Sequence, residues 1–208
     1  MKKRKKSAAG SVLELILVAA GALGVALLFQ AFIVKPYRIP SGSMLPTLQI
    51  NQRILVDRIG NDFSSPNIGD IIVFHPPKNY AEGCADSAEG QEQAGQDSAR
   101  PCGVAQRRAS SETFVKRVVG LPGDRIAIRD GHVYRNGVRE HDHYVEACND
   151  GAACSFPATI TIPRGDYYMM GDNRGDSDDS RFWGPVPRAW IIGEAFLTYW
   201  PPSRMGFL

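Results

Sequence analysis

Ser41 and Ser43 stand two residues apart in Ile39-Pro40-Ser41-Gly42-Ser43-Met44-Leu45-Pro46-Thr47-Leu48, a tight polar turn bracketed by prolines. A serine hydroxyl becomes a nucleophile only with a base in hydrogen-bond reach and donors for the oxyanion that forms. Histidine is the usual base, and His75, His132, His141 and His143 are present. None lies in a recognisable triad signature, and the chain has no G-x-S-x-G elbow. Lysine is the other base. Beyond the first six residues the chain has only Lys35, Lys78 and Lys116. Lys116 alone lies inside an apolar strand pattern, Thr113-Phe114-Val115-Lys116-Arg117-Val118-Val119. Apolar surroundings strip solvent from an ammonium and lower its pKa, and a value of about 7–8 leaves enough free amine to take a serine proton. A solvent-facing Lys116 would be an ordinary strand lysine instead, and the sequence leaves both readings open. No Ser-x-x-Lys occurs, so Ser43 and Lys116 can meet only through strand packing.

Strands must therefore do the positioning. Residues 53–57, 70–74 and 113–119 read as strands, the last stopped by Gly120-Leu121-Pro122-Gly123-Asp124. A meander follows. Arg125–Arg129 alternates polar and apolar, Asp130-Gly131 turns the chain, residues 132–135 run back, and Asn136-Gly137 turns it again. Both dipeptides tolerate the positive φ that tight hairpins need. Later strands are expected at 159–162, 167–170 and 190–198. Outside the N-terminal region no long amphipathic helix is apparent, so the fold class expected is mainly β, with packed sheets or open barrels.

Lys2, Lys3, Arg4, Lys5 and Lys6 supply five of the 24 basic residues, so the remainder carries 19 basic against 22 acidic. A mildly acidic body argues against nucleic acid as a partner. From Leu15 to Val34 the only polar side chain is Gln30, and Pro36 follows. Twenty helical residues span roughly 30 Å, the hydrocarbon thickness of a bilayer. The expected organisation is a basic cytoplasmic tail (1–11), a transmembrane anchor (12–34) and an extracytoplasmic domain (35–208), oriented by the basic flank. Membrane lipid is thus an expected partner. A cleaved secretory signal with its site near Ala20-Gly21-Ala22, or a buried core helix, would share the pattern.

Cys84, Cys102, Cys148 and Cys154 allow three disulfide pairings. The local pairing joins Cys84 to Cys102 and Cys148 to Cys154, each closing a polar loop, and disulfides fit an exported domain. No C-x-x-C or H-x-x-x-H spacing exists, so no metal is expected. Residues 79–111 read as a solvated insertion to which no chemistry is assigned.

Three segments carry a resemblance. Residues 40–48 are similar to the nucleophile box of bacterial type I signal peptidases. Residues 114–124 resemble the lysine box, and Gly171-Asp172-Asn173-Arg174-Gly175-Asp176-Ser177-Asp178-Asp179-Ser180-Arg181-Phe182-Trp183-Gly184 the C-terminal box. All three occur in the family's order after an N-terminal apolar run. The resemblance implies Ser43 as nucleophile, Lys116 as general base, and Ser41 with the Ser43 N–H as oxyanion hole. It also implies Ser177 orienting Lys116, Met44 lining the substrate site, and Asp179 and Arg181 as structural support.

By the same resemblance the activity is cleavage of signal peptides from secretory pre-proteins, with no cofactor. Some relatives have a counterpart of the Cys148–Cys154 pair. The chain departs from the family at Gly175-Asp176, where Asp-Asn is common. Two rival readings are a peptidase dedicated to a pilin or conjugation client, and an inactive membrane-tethered β-module used for binding.

Overall fold

The computed structural model describes residues 8–82, 84, 100–146, 148 and 154–208. Helix α1 runs Ala8–Phe32, with its side chains described at Val12 and at 14–25. Among the described residues no helix is long and apolar enough to cross a membrane. Val34, counted above in the apolar run, instead opens β1 (Val34–Arg38). That strand escapes a sequence reading because Pro36 cannot donate to a ladder. Only an edge strand tolerates it, and among the described residues β1 is an edge, paired to β2 (Arg53–Asp57) alone.

The larger sheet is antiparallel and its core is assembled from distant segments. β1 and β2 are followed by β11 (Ile191–Trp200), β3 (Ile71–Phe74), β4 (Phe114–Gly120), β9 (Asp166–Met170) and β10 (Val186–Pro187). β12 (Gly206–Phe207) pairs with β11. The smaller sheet has the order β7 (Val138–Arg139), β6 (His132–Arg135), β5 (Arg125–Arg129) and β8 (Phe156–Thr161). The protein is mainly β, as expected. Asp130-Gly131 and Asn136-Gly137 have φ of 51° and 79°, and of 55° and 85°. Those values are what two-residue hairpins with right-handed twist demand.

β4 is buried on both faces. Val119 joins a cluster with Ile126, Phe156 and Tyr168, while Val118 joins one with Phe74, Met169 and Trp183. Because strand side chains alternate, Lys116 shares the face of Val118. That face is interior, which settles the open question about Lys116: it is 3% exposed. Both local disulfides, Cys84–Cys102 and Cys148–Cys154, are present. Part of the expected 79–111 insertion lies outside the described residues. Its C-terminal arm is not merely solvated, however. Cys102 is fully buried, and its N–H donates to the Arg181 carbonyl at 2.9 Å.

Candidate active site

Ser43 is held by the turn after β1. Leu45 N–H bonds the Gly42 carbonyl at 3.0 Å and Leu48 N–H bonds that of Met44 at 2.8 Å. Met44 and Leu48 point into the core with Ile54 and Val56, so apolar burial pins the turn from below. Ser41 Oγ lies 3.4 Å from Ser43 Oγ.

A second set of contacts grips the turn from the segment after β9. Asn173 N–H donates to the Ser43 carbonyl at 3.1 Å, and its side-chain amide to Gly42 at 3.3 Å. Thr47 donates to Asp172 at 2.5 Å. Asp172 is fully buried and receives a two-pronged contact from Arg117 at 2.8 and 2.7 Å. The Arg117 guanidinium in turn lies 3.9 Å from the Tyr144 ring centre. Gly171 is required here by crowding. A Cβ on it would sit 2.3 Å from Ser177 Oγ and 2.4 Å from the Ser43 carbonyl oxygen.

Lys116 Nζ donates to Ser177 Oγ at 2.9 Å, and Ser177 Oγ donates to Asp179 at 2.8 Å. Asp179 caps the short helix α3 (Ser180–Trp183), which follows α1 and the single-turn α2 (Gly60–Phe63) in chain order. It accepts from Arg181 Nε and Nη2 at 2.8 and 2.9 Å and from Gly171 N–H at 3.1 Å. Both ions are 0% exposed. Burial pushes the Asp179 carboxyl up, but the Arg181 charge and hydrogen bonds more than offset it, and its pKa ends below the ordinary carboxylate value.

Burial lowers Lys116 from 10.5 to about 8, although Asp179 and Asp178 pull it back upward. The Phe114 ring, 5.8 Å from Nζ, lies on the same side. A lysine near 8 holds about a tenth of its population as free amine at pH 7. A neutral amine that donates to Ser177 keeps its lone pair for another proton.

Ser43 and Lys116 open onto one cavity of about 530 Å³, whose walls include Ser41, Met44, Phe114 and Asp178. The structure thus gathers the serines, Met44 and Lys116 around one space, with Ser177, Asp179 and Arg181 stacked behind the lysine. Gly175-Asp176, the departure from the family pattern, falls in a single 3-10 turn and leaves the Ser177 contact intact. Sequence reasoning missed Thr47, Arg117, Gly171, Asp172 and Asn173, which hold the Ser43 turn. The legible signal was an arginine inside an apolar strand beside Lys116, because a buried arginine needs a buried acid.

A mainly β chain that sets a serine and a buried, solvent-stripped lysine at one cleft is suited to the chemistry of a hydrolase of the peptidase class. The comparisons agree. Residues 12–200 match the family described as signal peptidase, peptidase S26. Probable signal peptidase I-1 of Synechocystis sp. is 37% identical over 187 residues, covering 90% of this chain and 82% of that protein. Signal peptidase I of Leptolyngbya laminosa is 35% identical over 184 residues, covering 88% and 77%. The chain belongs to the signal peptidase family, peptidase S26.

Proposed function

We propose that this protein is a membrane-bound serine endopeptidase that removes N-terminal signal peptides from exported pre-proteins through a Ser43–Lys116 dyad. The observation that carries the reading is a lysine stripped of solvent, lowered to about 8, on the same cavity as Ser43. Ser43 Oγ attacks the scissile carbonyl carbon as the neutral Lys116 amine takes its proton. The oxyanion is met by the Ser41 hydroxyl and the Ser43 N–H. Collapse breaks the C–N bond, and Lys116 returns the proton to the departing amino terminus. Lys116 then takes a proton from water as its oxygen attacks the Ser43 ester. Collapse breaks the acyl–Oγ bond, Lys116 returns that proton to Ser43 Oγ, and the signal peptide leaves with a carboxylic acid that ionises in water. Ser177 orients the amine, and Asp179 with Arg181 holds Ser177.

In this reading α1 crosses the bilayer, Lys2 to Lys6 stay in the cytoplasm and the β domain lies outside. Its support is the apolar run from Leu15 to Val34, the exposure of Leu15, Ile16, Leu17, Val18, Leu23 and Val25 on α1, and two disulfides suited to an oxidising compartment. Ser43 lies nine residues past Val34, so the nucleophile works close to the membrane face from which a pre-protein emerges.

The test is incubation of the detergent-solubilised full chain with several pre-proteins bearing Ala-x-Ala before the cleavage point, with product masses measured. The expected result is one cut after the second Ala. A folded protein that cuts none of them would overturn the general reading in favour of a dedicated client or a binding module.

A further inference from the structure

Asp178 has no assigned part in the reaction, yet it stands in the wall of the cavity that holds Ser43 and Lys116. The backbone explains its aim. Ser177 and Asp179 are both extended, with φ and ψ of −136° and 118°, and of −153° and −168°. Alternation sends Ser177 and Asp179 inward to Lys116 and Arg181, and leaves Asp178 on the other side, exposed to the cavity.

The charges around this space come from five elements. β1 contributes Arg38, whose guanidinium donates to Asn51. β4 contributes Lys116. The start of α3 contributes Asp179 and Arg181. The 3-10 turn before Ser177 contributes Asp176, and the approach to β4 contributes Glu112. Asp179 is taken up by Arg181 at 2.8 Å, and Glu112 accepts the Tyr80 hydroxyl at 3.0 Å. Asp178 itself is raised to about 6, by burial first and by Asp179 second, while the Lys116 charge pulls it down. It is therefore mostly ionised at neutral pH, and it favours the ammonium form of Lys116.

We propose that Asp178 is a positioning residue for the Lys116 charge. Its carboxylate, on the wall of the cavity that Lys116 also lines, favours the ammonium and so raises the pH at which Ser43 acquires a base. The inference rests on the dyad reading above and adds to it the residue that places its acid limb. Burial alone would free the amine at lower pH. Asp178 restores part of that affinity for a proton and moves the working range upward.

The decisive comparison uses Asp178→Asn, which keeps the shape and removes the charge. Lys116 is titrated by NMR of its labelled Cε in protein carrying Ser43→Ala, with and without Asp178→Asn. This readout needs no peptidase activity. The expected result is a midpoint lower by about one unit without the carboxylate. In active protein, the rising limb of kcat/KM moves to lower pH by the same amount, giving about tenfold faster cleavage on the acid side. Asp178→Glu keeps the wild-type limb, and Asp178→Ser repeats the Asn shift as a second uncharged variant. An unchanged or raised Lys116 midpoint in folded Asp178→Asn and Asp178→Ser proteins overturns the proposal. Failure of the peptidase reading would appear separately, as a wild type that cleaves no precursor while the NMR midpoint still moves or stays.

Discussion

Lys116 Nζ sits 2.9 Å from Ser177 Oγ, and the lysine's hydrogen points toward the serine. A neutral amine has two hydrogens and one lone pair. Spending a hydrogen on Ser177 fixes the amine's direction and leaves its lone pair to accept a proton. Ser177 accepts from Lys116 because its own hydrogen is committed to Asp179 at 2.8 Å. The polarity of the chain is thus set at its far end, by a buried carboxylate locked to Arg181.

The first prediction concerns pH. With Lys116 lowered to about 8, the amine is mostly charged below that value. In the dyad reading kcat/KM rises about tenfold per pH unit below 8 and levels above it. A pH profile against a peptide substrate checks this, and a flat profile from pH 6 to 9 would count against a lysine base.

Ser177→Ala removes the acceptor for Lys116 and leaves Asp179 with one donor fewer. The amine then loses its direction but not its burial. The expected effect is a fall in kcat of about 10²-fold with a small change in KM. Steady-state kinetics separates the two, and a change confined to KM would place Ser177 in substrate binding instead.

Arg181→Met strands Asp179 as an unpaired charge at 0% exposure. Loss of about 3–5 kcal/mol is expected, read from urea midpoints. Asp179 is held below its ordinary value of 3.8. Its contribution is therefore complete above that pH and is lost as pH falls through the lower folded value. The wild type should lose this increment in acid, whereas Arg181→Met should have little of it left to lose.

Gly171→Ala tests the crowding behind Ser43. The added methyl meets the Ser43 carbonyl oxygen at 2.4 Å and Ser177 at 2.3 Å, so one of the two must move. The variant is expected to lose activity by at least 10²-fold, an order of magnitude set by the cost of misplacing reacting groups. Retention of full activity would mean that the turn is not held where the dyad needs it.

Much of this architecture was readable from the chain. The hairpins at Asp130-Gly131 and Asn136-Gly137 follow from local chemistry, and strands 125–129 and 132–135 fall where alternation put them. The burial of Lys116 was readable only as a choice between two faces, because a strand's pattern does not say which side is covered. The clamp on the Ser43 turn was out of reach. Thr47 and Asp172 are 125 residues apart, and no local rule pairs them. β1 was hidden by Pro36 and by continuity with the apolar run before it. The arm around Cys102 was hidden by its polar composition, though it packs on the helix that carries Arg181.

The most direct measurement is single-turnover cleavage of an Ala-x-Ala pre-protein by wild type, Ser43→Ala and Lys116→Met, each shown to be folded by circular dichroism. The account predicts that both variants lose at least 10³-fold in rate, roughly what removal of a nucleophile or its base costs. Either variant cleaving within tenfold of wild type would contradict the Ser43–Lys116 dyad.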